Sequence, residues 1–244
     1  MKNTTNHLLV LATGILLLSS CAQNADRQKD KTETSADPIV AKAETNGSEE
    51  VSKPRTILFF GNSLTAGYGL DPAQAFPALI QQKIDSLGLP YKTVNAGLSG
   101  ETSAGGKARI GWVLRQPADI FVLELGANDG LRGIELAGTR QNLQSILDSV
   151  KAKNPATQLV VAGMQLPPNL GQKYTSDFRK IFTQLAQANQ ATLIPFLLGN
   201  VAGIAELNQP DGIHPTAEGN RIVAENVWKV LQPLLTADLK TESK

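Results

Sequence analysis

From Thr56 onward, five short apolar runs alternate with stretches of helical periodicity: TILFF (56–60), YKTVN (91–95), DIFVLEL (119–125), QLVVAG (158–163) and TLIPF (192–196). Runs this short and this apolar suit strands buried on both faces, and a helix between successive strands is the crossover that parallel pairing requires. The pattern predicts an α/β chain folded as a three-layer α/β/α sandwich on a five-stranded parallel sheet. Asp71-Pro72 reads as an N-cap and first-turn proline for a helix whose apolar face is Phe76, Leu79, Ile80, Ile84 and Leu87, ended by Gly88. Leu136, Leu143, Ile146, Leu147 and Val150 mark a second helix, with Lys151 and Lys153 at the negative end of its dipole. Phe178, Ile181, Phe182 and Leu185 mark a third, and a last one runs from about Thr216 to Leu235 over Ile222, Val223, Val227, Val230 and Leu231. No internal repeat is present.

The segments before and after this unit read differently. Lys2, the apolar run LLVLATGILLL (Leu8 to Leu18) and the small residues Ser19 and Ser20 have the order of an export signal, and the run is short for a bilayer span. Its ending, LSSC, resembles the lipobox of bacterial lipoproteins. Residues 1–20 are then a signal peptide and Cys21 the lipid attachment site and mature N-terminus; the plain alternative is an ordinary signal peptide with a chance cysteine. Ala22 after Cys21, in place of an aspartate, resembles the enterobacterial sorting signal for the outer membrane, facing the periplasm. Ala22 to Pro54 holds no aromatic residue and only three of Ile, Leu and Val. Such a segment buries too little apolar surface to offset its ordering entropy, so 21–54 is expected to be a flexible tether, roughly 30 Å end to end as a coil. Residues 55–236 form the expected folded domain, and 237–244 a flexible tail.

Composition narrows the chemistry. A formal charge of +1 with no basic stripe gives no electrostatic case for a nucleic-acid partner. One cysteine excludes an internal disulfide framework, and with two histidines the chain is poor in ligands for zinc, so no metal is expected. The first strand breaks abruptly into Gly61-Asn62-Ser63-Leu64, and GNSLTAGYG fits neither a dinucleotide fingerprint, nor a Walker A loop, nor the G-x-S-x-G elbow.

Ser63 stands where open α/β sheets hold ligands, as either a nucleophile or an ordinary turn hydroxyl. A nucleophile needs a base, and once His7 leaves with the signal peptide only His214 remains, in QPDGIHPTAEGN. Asp211, three residues earlier, can hold the imidazole tautomer; alternatively Asp211-Gly212 is a turn, with Asp211 capping backbone amides. Acyl transfer also needs donors for the oxyanion, each worth about 100- to 1,000-fold in rate. Gly97 in AGLSGET can present a backbone N–H and Asn128 in GAND a side-chain amide, or the first makes a tight turn and the second bonds its own backbone.

Together, GNSL, AGLSGET, GAND and DGIHP resemble the four blocks of the SGNH, or GDSL, hydrolase family, and over 56–235 the chain is similar to its thioesterase I, lysophospholipase L1 and arylesterase branch. The resemblance implies a flavodoxin-like sheet, Ser63 as nucleophile, His214 as base and later acid, and Asp211 as its orienting partner. It implies an oxyanion hole from the Ser63 and Gly97 amides and the Asn128 side chain. It also implies a serine esterase that acts through an acyl-enzyme, on acyl esters or lysophospholipids, without a cofactor. A carbohydrate acetyl esterase of the envelope and a non-catalytic lipid- or glycan-binding lipoprotein are the alternatives. Asn62 departs from the family's aspartate, Glu124 in FVLELG needs a partner if buried, and GMQLPPNLGQKY (163–174) is either a surface loop or a border of the acyl pocket.

Overall fold

The computed structural model describes residues 53–242. The expected leader, Cys21 and all but the last two residues of the expected tether lie outside the described residues.

Five parallel strands, β1 (Arg55–Gly61), β2 (Tyr91–Gly97), β3 (Ile120–Glu124), β4 (Gln158–Ala162) and β5 (Thr192–Ile194), form one sheet in the order β2-β1-β3-β4-β5. This is the flavodoxin-like order. The register aligns Gly61 with Gly97 on one side and with Glu124 on the other, so three strands end level. Seven α-helices are described: α1 (Ser63–Ala66), α2 (Phe76–Ser86), α3 (Ser103–Val113), α4 (Ala127–Leu131), α5 (Leu136–Lys153), α6 (Gln172–Ala188) and α7 (Ala217–Glu242). Right-handed crossovers place helices on opposite faces when the winding direction reverses. The step from β1 to β2 goes one way and the steps to β3, β4 and β5 go the other, so α2 lies on one face and α3, α5 and α6 on the other. The packing agrees: α2 pairs with α7, α3 with α5, and α5 with α6.

The strands are buried on both sides, as their composition requires. Ile57, Phe59, Phe60, Ile120, Phe121 and Val160 are fully enclosed. Leu143, Ile146, Leu147 and Val150 of α5 and Phe178, Ile181, Phe182 and Leu185 of α6 are buried as their spacing predicts, each contributing about 1.5–3 kcal/mol of burial. Phe59 meets Phe76 of α2 edge-on, with ring centroids 5.4 Å apart.

Three boundaries differ from the sequence reading. Asp71 does cap, accepting from the Ala73 amide, but the capped unit is a separate 3-10 turn, Pro72–Gln74, and α2 begins at Phe76. A continuous helix would drive the Pro77 ring into the carbonyl of Ala73, so the chain extends at Ala75 instead. Leu87 is half-exposed beyond the last helical residue, and Leu89 packs against the core after Gly88 turns the chain. The final helix runs on to Glu242, through most of the segment expected as a tail.

The free edge of β2 is covered locally. Residues 91, 93, 95 and 97 direct their amides away from β1, because the Leu98 amide donates inward to Gly61 O. The Gln81 carboxamide of α2 accepts from the Thr93 amide and donates to Tyr91 O, and the Tyr91 amide donates to Leu89 O.

Truncating Phe59 leaves a cavity between β1 and α2. Phe59→Ala is expected to lower unfolding stability by about 3–5 kcal/mol in urea titration.

Candidate active site

The β1–α1 turn carries Asn62 and Ser63. Asn62 is the N-cap of α1: its Oδ1 accepts from the Leu64 amide at 3.0 Å and lies 3.3 Å from the Ser63 hydroxyl oxygen. The turn is pinned from β3. Glu124 Oε2 accepts from the Asn62 amide at 3.0 Å and from the Thr65 hydroxyl at 2.8 Å, and Oε1 accepts from Asn62 Nδ2 at 2.7 Å. Glu124 thus has the partners that a buried carboxylate needs, and all of them belong to the segment that presents Ser63.

The departure at Asn62 gains a physical meaning here. An aspartate in its place would set two carboxylates against each other at this contact, and one proton would have to be held between them. The asparagine amide makes the same contact as a donor.

Ser63 Oγ lies 2.8 Å from His214 Nε2, and His214 Nδ1 lies 2.7 Å from Asp211 Oδ2. Ser63 is buried and the His214 side chain is 16% exposed. Asp211 does both of the things its position suggested, with different oxygens. Its Oδ1 accepts from the amides of Ile213 and His214, closing the turn, while Oδ2 faces the imidazole. Partial burial raises the Asp211 carboxyl, but these three hydrogen bonds and the imidazole charge outweigh it and hold the group below the usual carboxylate range. The ring of Tyr68 lies against the imidazole at a centroid distance of 4.6 Å.

Asn128 sits in the first turn of α4, directly after β3, and its Nδ2 donates to Glu101 O at 2.9 Å. Asn62, Ser63, Asn128 and His214 all line one cleft of about 490 Å³, whose remaining wall is mostly apolar, with Leu64, Leu131, Met164, Leu166, Phe196, Leu198 and Ile213 beside the polar Gln165 and Asn208. The segment 163–174 therefore does border the cleft, through Met164 to Pro168, and Leu166 is buried there rather than exposed.

Gly97 is placed differently. It ends β2 with its amide turned to the outer edge, where it donates to Asn95 Oδ1 at 2.9 Å, and it is not among the residues lining the cleft. The strand's alternation fixes this, since Gly97 is one residue before the inward-donating Leu98. Its lack of a side chain serves packing: a Cβ would come within 2.3 Å of the Ala66 amide nitrogen of α1.

Sequence reasoning missed two groups. Gln209 donates from Nε2 to Tyr68 O at 2.8 Å and to Pro215 O at 2.9 Å. Asp129, buried beside Asn128, accepts from the Ser103 amide and hydroxyl. A glutamine in a loop carries no sequence signal for such bridging. Asp129 adjoins the candidate donor Asn128 in sequence, but its burial is a property of the fold. Among the described residues no group of three His, Cys, Asp or Glu side chains is gathered to hold a metal ion.

Burial pushes the Glu124 carboxyl from 4.5 up to about 7, against the opposing pull of its donors from Thr65 and Asn62. With the folded value above the unfolded one, Glu124 favours folding fully at acid pH and loses that contribution as pH rises through 7. That rise corresponds to about 3 kcal/mol. Urea titrations across pH 4.5 to 8 are expected to show this fall in the native sequence and its absence in Glu124→Gln.

Residues 59–222 match the GDSL-like lipase/acylhydrolase family. Over 183 residues the chain is 42% identical to esterase TesA of Pseudomonas aeruginosa, covering 74% of this chain and 90% of that protein. It is 40% identical over 184 residues to thioesterase 1/protease 1/lysophospholipase L1 of Escherichia coli K12, covering 75% of this chain and 86% of that protein. The crystal structure of TesA superposes with a TM-score of 0.71 at 40% identity, over 74% of this chain and 99% of that one. With a match across two thirds of its length and relatives aligned over nearly their whole length, this chain belongs to the GDSL-like lipase/acylhydrolase family.

Proposed function

We propose a two-step acyl transfer for this ester hydrolase, with Ser63 as nucleophile, His214 as general base and then acid, and Asp211 as the group that orients the imidazole. The observation that carries this reading is the unbroken chain from Asp211 Oδ2 through His214 to Ser63 Oγ, with links of 2.7 and 2.8 Å, at the mouth of an apolar cleft. In the first step His214 Nε2 takes the hydroxyl proton as Ser63 Oγ attacks the ester carbonyl; the same proton then passes to the departing alkoxide. In the second step water attacks the acyl-enzyme, His214 accepts its proton and returns it to Ser63 Oγ as the acid leaves. Asp211 favours the tautomer with the proton on Nδ1 and stabilises the imidazolium that forms in each step.

For the oxyanion we assign the Ser63 amide, at the start of α1 where helix amides lack intrahelical acceptors, and Asn128 Nδ2. Gly97 is committed to Asn95 at the sheet edge. Gly100, with φ +79, precedes Glu101, whose carbonyl accepts from Asn128. We assign the third donor to the Gly100 amide.

The apolar wall favours the acyl half of the ester, as in acyl esters and lysophospholipids. The relatives' names, esterase, thioesterase and lysophospholipase, agree with this class. The leader pattern and LSSC support a second element of the reading: Cys21 carries a lipid anchor that holds the domain at the bacterial envelope, at the outer membrane on its periplasmic side. Among the described residues no helix is long and apolar enough to cross a membrane.

A fluorophosphonate is expected to label Ser63, with labelling lost in His214→Ala, and Ser63→Ala is expected to lower kcat on the order of 10⁶-fold. In a panel of p-nitrophenyl esters, lysophosphatidylcholine and acetylated sugars, kcat/KM should rise about fourfold per added acyl methylene until the cleft is filled. A preference for acetylated sugars would overturn the substrate class. Separately, Cys21→Ser is expected to move the expressed protein from the membrane fraction to the soluble fraction; persistence in the membrane would refute the anchor.

A further inference from the structure

The two halves of the Ser63–His214 pair are 151 positions apart in sequence and sit on different loops, one after β1 and one before α7. Their proton-transfer geometry therefore depends on what holds the loops together. Gln209 supplies a link at each level. Its backbone closes the turn that carries the imidazole: the Gln209 amide donates to His214 O at 2.7 Å, and Gln209 O accepts from the Gly212 amide at 2.8 Å. Its side chain then crosses the seam. The two hydrogens of its carboxamide nitrogen go to Tyr68 O, on the Ser63 side, and to Pro215 O, on the His214 side.

Tyr68 continues the link to the nucleophile, since its amide donates to Ser63 O at 3.0 Å. A closed circuit results: Ser63 to Tyr68 through the backbone, Tyr68 to Gln209 through the carboxamide, Gln209 to His214 through the turn, and His214 back to Ser63 through Nε2 and Oγ. Gly69 leaves room for it. At φ +75 it adopts a conformation that side chains disfavour, and a Cβ there would come within 2.4 Å of Gln209 Oε1.

We propose that Gln209 is a positioning residue for the hydrolysis, its carboxamide setting the distance between Ser63 and His214 by bridging the Tyr68 and Pro215 carbonyls. The inference rests on the proposed roles of Ser63 and His214. The two carbonyls demand two donors from one planar group, and glutamine at this length is the residue that supplies them. Methionine matches the length with no donor, and glutamate matches the shape but turns acceptors toward two carbonyls.

Gln209→Met and Gln209→Glu are compared with the native sequence in the full chain, using a p-nitrophenyl ester, with circular dichroism to count folded molecules and fluorophosphonate labelling rates as a second readout. A misplacement near 1 Å at reacting atoms costs about 100-fold. The expected result is a fall in kcat of roughly 10- to 100-fold per folded molecule with KM unchanged, a parallel fall in labelling rate, and a larger loss in Gln209→Glu. A merely structural role would lower the folded fraction and leave kcat per folded molecule intact. Native kcat in either folded variant overturns the proposal. Ser63→Ala separates the two failures: if it abolishes turnover while the Gln209 variants keep theirs, only the positioning role falls; if it retains turnover, the roles assigned to Ser63 and His214 fall first.

Discussion

The reversal of winding at β1 governs this molecule. Because right-handed crossovers leave β1 toward β2 on one face of the sheet and approach β3 on the other, a crevice opens outside the carboxyl ends of β1 and β3. Both strands discharge functional groups into it, Asn62 and Ser63 from β1 and Asn128 from β3. The distant 208–216 turn then needs only to reach the same crevice from the end of the chain, and the antiparallel bridge between Asn208 and Pro215 fixes its shape. The site is a product of topology first and of individual contacts second.

The electrostatics of the crevice follow from burial. Glu124 is enclosed, and among the described residues its charge is supported by the Asn62 and Thr65 donors it holds. Asp211 sits at the rim, partly exposed, and keeps its charge. Two carboxylates within one small region thus have opposite tendencies: the inner organises the serine turn, and the outer faces the imidazole that must become cationic.

Much of this was readable from residue patterns. The strands and the faces of α5 and α6 follow from burial on both sides and from 3.6-residue spacing, signals that tertiary packing reinforces. Ser63, His214 and Asp211 could be paired because a single histidine remained for the folded domain. What escaped depended on backbone geometry or on a partner that residue patterns do not reveal. Pro77 breaks the helix expected from Asp71 through a clash four residues back. Gly97 loses its expected place because strand alternation turns its amide to the outer edge. Gln209 shows its importance only when Tyr68, 141 positions away, is placed beside it.

The covering of β2 by the Gln81 carboxamide bears on association between molecules. An open strand edge is a template for β-augmentation by a second chain. Here three of the four amides that would recruit one, those of Tyr91, Thr93 and Gly97, are already spent on Leu89, Gln81 and Asn95. A helix side chain thereby takes the place of a neighbouring strand, and the sheet ends without the long exposed hydrogen-bonding border from which aggregates grow.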